Sequence, residues 1–207
     1  MSYLRDPEAI YRQSFEIIRR DADLSAFPHD LRDVVVRMIH ACGMPDLAGD
    51  VVADAELVSA TVGALGRGVP VLCDCEMVRA GISRRYLPNA ELVVTLNDPA
   101  VPGVAQALGT TRSAAAVELW RERLEGAVVV IGNAPTALFH LLDLLEAGAP
   151  HPAAIIATPV GFVGAAESKA LLAEGRHGVP FLTVRGRRGG SAIASAALNA
   201  IAMGAAA

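Results

Sequence analysis

Five short runs rich in Val, Ile and Leu constrain the fold of this 207-residue chain more than any other feature: VPVLC from Val69, ELVVTL from Glu91, AVVVIG from Ala127, AAIIATPV from Ala153 and VPFLTVRG from Val179. Each run is apolar almost throughout rather than alternating, so both faces of the strand it forms must be covered. Between the runs lie stretches with the apolar period of helices. Strands alternating with helices build an α/β fold, here a three-layer parallel-sheet domain with helices on both faces. Sheets of this kind take their ligands at the carboxyl ends of the strands. The turns that follow each run are therefore the first places to look for chemistry.

Two helical patterns, residues 7–20 and 30–42, precede the first run as an N-terminal helical addition to the sheet. Asp6 is the expected N-cap of the first, with Pro7 at its opening position, and Gly43 is the expected stop of the second. No repeat, linker or composition break divides the chain, so residues 1–207 are expected to form one domain.

Apolar residues make up 53% of the chain but aromatics only 4%. The core must then be Ala, Val, Leu and Ile packed closely, with apolar surface left over to close a subunit interface. A formal charge of −4 argues against nucleic acid or an anionic membrane as partner, and any anionic ligand must be held by local positive groups. The first ten residues carry charges where a signal peptide needs an apolar stretch. The Ala-rich tail SAIASAALNAIAMGAAA is too weakly apolar to span a bilayer. A cytoplasmic protein without membrane contact is expected.

Cys42, Cys73 and Cys75 are three and cannot all pair. Reduced thiols are the plain reading. A zinc site drawn from His40, Cys42 and one other thiol lacks the paired Cys-x-x-Cys of such sites, so no metal is expected.

Ser14 interrupts a stripe of Ile10, Ile17 and Ile18. Its hydroxyl either bonds back to its own helix or reaches a ligand. In the second helix Leu31, Val35, Met38, Ile39 and Cys42 form the core stripe and leave Asp33, Arg37 and His40 on a different face. An Asp33–Arg37 surface ion pair beside a solvated His40 is one reading. The other takes His40 as a proton donor, because the negative end of the helix favours imidazolium.

The stretch VVVIGNAPTALFHLL breaks at Gly132 and Asn133 and becomes helical at Pro135. Free backbone N–H groups at such a turn favour an anion. No lysine follows as in a P-loop and no G-x-G-x-x-G occurs in the chain, which disfavours nucleotides. In GTTRSAAAVELW, Arg112 stands at a helix start where acidic groups are usual. An outside anion sharing that helix end accounts for it, a solvated side chain being the plainer alternative. Gly164, and Arg185, Arg187 and Arg188, sit at two further strand ends. Together these turns suggest a ligand with several separated carboxylates. No Ser-His-Asp elbow, metal-spaced His pair or paired-carboxylate motif is present.

Read in order, RDPEAIYRQSF, MIHACG, GVPVLCDCEMV, TRSAAAVELW, VVIGNAPTALF, TPVGFVGAAESK and GVPFLTVRGRRGGSA resemble the precorrin-8X methylmutases of cobalamin biosynthesis. The resemblance covers nearly the whole chain, and Cys75 and Met44 are its small departures. It implies a homodimeric isomerase that moves a methyl group from C-11 to C-12 of precorrin-8X to give hydrogenobyrinic acid. It implies no cofactor, because the methyl never leaves the tetrapyrrole. The catalytic histidine of the family falls on His40, and its substrate contacts fall on Ser14 and Arg37. Carboxylates on the macrocycle rim are expected at the Gly132-Asn133-Ala134 turn with Thr136 nearby, and at Arg112; Gly164, Ser168 and Lys169 complete the expected substrate contacts. A cobalt-precorrin-8 methylmutase and a non-catalytic tetrapyrrole carrier are the alternatives.

Overall fold

The computed structural model describes residues 3–205. In chain order its elements are α1 (Pro7–Asp21), α2 (His29–Cys42), β1 (Val51–Ala53), α3 (Leu57–Gly66), β2 (Val71–Cys73), α4 (Glu76–Gly81), β3 (Leu92–Val94), α5 (Val101–Leu108), α6 (Arg112–Glu118), β4 (Val128–Ile131), α7 (Pro135–Glu146), β5 (Ala154–Ala157), α8 (Ala165–Ala173), β6 (Phe181–Val184) and α9 (Ser191–Ala205). One sheet carries the strands in the order β1-β6-β5-β4-β2-β3. The five apolar runs supply β2 to β6, all parallel. The sheet departs from the expected all-parallel form at one edge, where β1 pairs antiparallel to β6 with Val51 opposite Val184. Three residues are too few to show a period, which is why this strand has no signature.

Strand pleating explains why the runs are continuously apolar. Val128 and Val130 pack into a core with residues of α1 to α4 and α9, whereas Val129 and Ile131 join Trp120, α7 and α8 on the other face. Both cores are mainly aliphatic, and each fully buried Val, Leu or Ile contributes roughly 1.5–3 kcal/mol. Trp120 is the largest buried side chain, and its indole N–H donates to Thr95 Oγ1 at 2.9 Å.

Helix ends follow their sequence signals. Asp6 accepts from the N–H groups of Glu8 and Ala9, and Gly43 closes α2 in the left-handed region with φ 71°. The face that α1 presents to α2 differs from the expected stripe: Phe15 and Ile18 are buried, but Ile10 and Ile17 are exposed. In α2 both flanks are covered, so Val34 and Val36 are buried besides Leu31, Val35, Met38 and Ile39.

β2 and β4 lie side by side although β3, α5 and α6 come between them in the chain. The chain leaves β2 toward one edge and β4 toward the other, and α4 and α7 cross on opposite faces. The crevice at the carboxyl ends of β2 and β4 is therefore the topological switch point. Gly132 lies there, where a Cβ would come within 2.7 Å of Ser191 Cα and 2.8 Å of Val78 Cγ2, so only glycine fits. Among the described residues no helix is long and apolar enough to cross a membrane.

Candidate active site

The packing of α1 on α2 brings Ser14 to His40. The Ser14 hydroxyl lies 3.0 Å from His40 Nδ1, so its partner is neither its own helix nor a free ligand position. Phe15 holds the imidazole from beside it, with ring centroids 5.1 Å apart, and Tyr11 stacks on Phe15 at 4.3 Å. His40 itself is exposed. One ring nitrogen is thus used internally, and the imidazole remains accessible to a ligand.

Arg37, one turn before His40, does not pair with Asp33; Asp33 bonds Arg19 at 2.8 Å. The Arg37 guanidinium instead donates to the Tyr11 hydroxyl and to Met203 Sδ, and it lies 5.3 Å over the Phe15 ring. These partners are all neutral, and among the described residues no carboxylate lies within ion-pair distance of it. A groove of about 370 Å³ runs beside it, lined by Tyr11, Phe15 and Met203 and by the charged Arg12, Glu16, Arg19 and Asp33. Tyr11 and Met203, which contact Arg37 and line this groove, are residues that sequence reasoning missed. Tyr11 stood one turn before Phe15 on the α1 face that packs on α2, and Met203 had no signal because it arrives from the far end of the chain.

At the switch point the expectation of a substrate carboxylate at Gly132-Asn133-Ala134 is corrected. The turn already holds an anion, and that anion is Asp74. Gly132 N–H donates to Oδ1 at 3.0 Å, and Asn133 and Ala134 N–H donate to Oδ2 at 2.9 and 2.8 Å. Burial pushes the Asp74 carboxyl above its ordinary range, and the three N–H bonds oppose that rise. A further carboxylate would find the N–H groups of Gly132, Asn133 and Ala134 already taken and would meet a like charge. The only sequence signal for Asp74 was an acidic residue at the end of a continuous apolar run.

The neighbouring contacts stand differently. Thr111, the N-cap of α6, donates to Thr136 Oγ1 at 2.8 Å and accepts from Ala114 N–H. Arg112 is exposed; it donates to the Leu96 carbonyl at 2.9 Å and to Asn97 Oδ1, and no carboxylate pairs with it among the described residues. Gly164 caps α8 with φ 77° behind the exposed Phe162 and Val163. Ser168 and Lys169, expected as substrate contacts, are corrected: both are completely buried. The Ser168 hydroxyl bonds the Ala165 carbonyl and the Lys169 ammonium bonds the Arg188 carbonyl, because α8 turns that face onto the sheet. No hydrogen bond or ion pair among the described residues links the strand-end group to the Ser14–Arg37–His40 group.

Cys73 is buried in β2 and burial pushes its thiol far up; Cys75 is pushed up for the same reason. Among the described residues no three His, Cys, Asp or Glu side chains converge as a metal site.

Fold and site together are those of an α/β enzyme with an exposed histidine bonded to a hydroxyl and flanked by a guanidinium that has no direct ion-pair partner. The precorrin-8X methylmutase family model matches residues 9–203. A precorrin-8X methylmutase of Pseudomonas aeruginosa is 57% identical over 98% of both chains, and a cobalt-precorrin-8 methylmutase of Salmonella typhimurium is 34% identical over 97% of both. A crystal structure described as precorrin-8x methyl mutase from Thermus Thermophilus superposes with a TM-score of 0.86 at 37% identity, covering 96% of each chain. The chain belongs to the precorrin-8X methylmutase family. It is an isomerase of cobalamin biosynthesis that catalyses migration of a methyl group within a tetrapyrrole.

Proposed function

We propose that this enzyme moves the C-11 methyl of precorrin-8X to C-12, giving hydrogenobyrinic acid, with His40 as general acid. The observation that carries the reading is the Ser14–His40 pair, which uses Nδ1 within the protein and leaves Nε2 for a donor bond to a pyrrolic nitrogen. Withdrawing electrons from the conjugated system eases the shift, in which the C-11–methyl bond breaks as the C-12–methyl bond forms and the double bonds move between them. The proton returns when the product tautomerises, so no atom is gained or lost. General acid catalysis of this kind contributes roughly 10²- to 10⁴-fold.

Arg37 and Arg112, whose guanidinium groups meet only neutral acceptors, hold two of the rim carboxylates. The Asn133 side chain, Thr136 and the Gly164 backbone take further rim groups. The two relatives at 56% and 57% identity are both named for precorrin-8X, whereas those named for cobalt-precorrin-8 stand at 31–37%, the range that also holds the Thermus structure. That gap favours the metal-free substrate. The chain acts as one domain in a cytoplasmic homodimer. Exposed Ile10 and Ile17 on α1, and Phe162 and Val163 at 85% and 89% exposure, support the dimer.

The test is conversion of precorrin-8X by catalytic amounts of protein, followed by the absorption spectrum of the orange product. Many turnovers per subunit are expected. A stoichiometric complex without conversion would identify a carrier instead, and preferential conversion of cobalt-precorrin-8 would reverse the choice of substrate.

A further inference from the structure

Asp74 takes no part in the proton transfer, yet it is among the most tightly bonded groups in the protein. It is 4% exposed, and it meets residues 58 to 60 positions further along the chain. Its three donors are the N–H groups of the turn that leads into α7 and ends at the N-cap Ala134. A carboxylate just after β2 therefore ties down the turn between β4 and α7, beside the positive end of that helix. From the opposite side the turn is pressed against α9, since Gly132 leaves no room for a Cβ beside Ser191. Asp74 on one side and α9 on the other hold the turn in the conformation seen. That conformation aims Asn133 just outside the helix and seats Thr136 in its first turn, where it meets Thr111.

We infer that Asp74 is a positioning residue of the methylmutase. It is the internal anion of the switch point, and it sets Asn133 and Thr136 against the rim of the tetrapyrrole. The inference rests on the proposed reading of those two residues as substrate contacts. A neutral amide at position 74 presents one oxygen to three donors and turns its own NH2 toward at least one of them. The turn must then shift. Because Asn133 and Thr136 act on the rim rather than on the migrating methyl, the shift weakens binding and leaves the chemical step alone.

The experiment is steady-state kinetics of Asp74→Asn with precorrin-8X, beside the unaltered enzyme and a thermal melt. KM rises on the order of tenfold, as loss of charge-assisted bonds predicts, while kcat stays within about threefold. Asp74→Ala opens the cradle to a small planar carboxylate, so added formate lowers its raised KM toward that of the unaltered enzyme, and chloride at equal ionic strength does not. A lowered melting temperature with unchanged KM and kcat would make Asp74 a structural tie only. A fall in kcat at unchanged KM would place it in the chemistry. Failure of both variants to fold, with formate present, would equally overturn the inference. If the unaltered enzyme leaves precorrin-8X unconverted, it is the assigned reaction that fails.

Discussion

The Ser14 hydroxyl lies 3.0 Å from His40 Nδ1 and joins the first two helices through the residue assigned to proton transfer. The pairing distinguishes two kinds of contribution, one from the acid itself and one from the group that orients it.

His40→Ala should fold and still bind the macrocycle, since Arg37 and the strand-end contacts are untouched. Turnover at saturating substrate should fall by on the order of a hundredfold or more, the usual worth of a general acid. Rapid-quench kinetics with titration of the product measures both effects. Turnover near the unaltered rate would mean that the acid is another group.

For Ser14→Ala the loss should be smaller, about tenfold, and confined to kcat, because the ring keeps its Phe15 contact but loses its orienting bond. Product affinity should stay within a factor of two or three of the unaltered enzyme. A rise in KM at unchanged kcat would make Ser14 a direct substrate contact instead.

Removing the guanidinium at position 112 tests the rim contacts. Arg112→Ala should raise KM on the order of tenfold or more with little change in kcat, since a carboxylate bond is worth about 1.5–3 kcal/mol and lies away from the methyl. A large drop in kcat at saturation would contradict that placement. A melting temperature lowered with KM unchanged would mean that Arg112 serves only to hold Leu96 and Asn97.

Lys169 predicts a pH effect on stability rather than on rate. Burial lowers its pKa from 10.5 to about 8, partly offset by the charge of Asp50. Between those values the unfolded chain binds more protons than the native protein, so this group makes stability rise with pH, and its contribution is lost as pH falls through about 8. The melting temperature of the unaltered protein should therefore gain on that of Lys169→Met between pH 7.5 and pH 10. Parallel pH dependence in the two proteins would show that Lys169 titrates normally.

Much of the architecture was legible because it rests on local physics. Continuous apolar runs require cover on both faces, and that alone implies a parallel sheet between helical layers. Capping depends on the few residues around each helix end, so Asp6 and Gly43 could be placed in advance. β1 could not, since three residues on an edge carry no period. The α1 stripe was misjudged because periodicity fixes spacing but not which of two adjacent faces meets the neighbouring helix.

The site divides along the same line. His40, Arg37 and Ser14 were found as residues out of place on patterned helices, and a turn built for an anion was recognised between Gly132 and Pro135. What occupies that turn depends on the strand order: β2 and β4 become neighbours only when the sheet assembles, and this brings Asp74 to Gly132 across 58 residues. The same long-range packing turned Ser168 and Lys169 inward and gave the Ser14 hydroxyl to His40. Sequence by itself determined which groups needed partners, because propensity and periodicity act over a few residues. The tertiary structure decided the partners, because a buried charge or an unpaired N–H is satisfied by whatever group packing brings within about 3 Å of it.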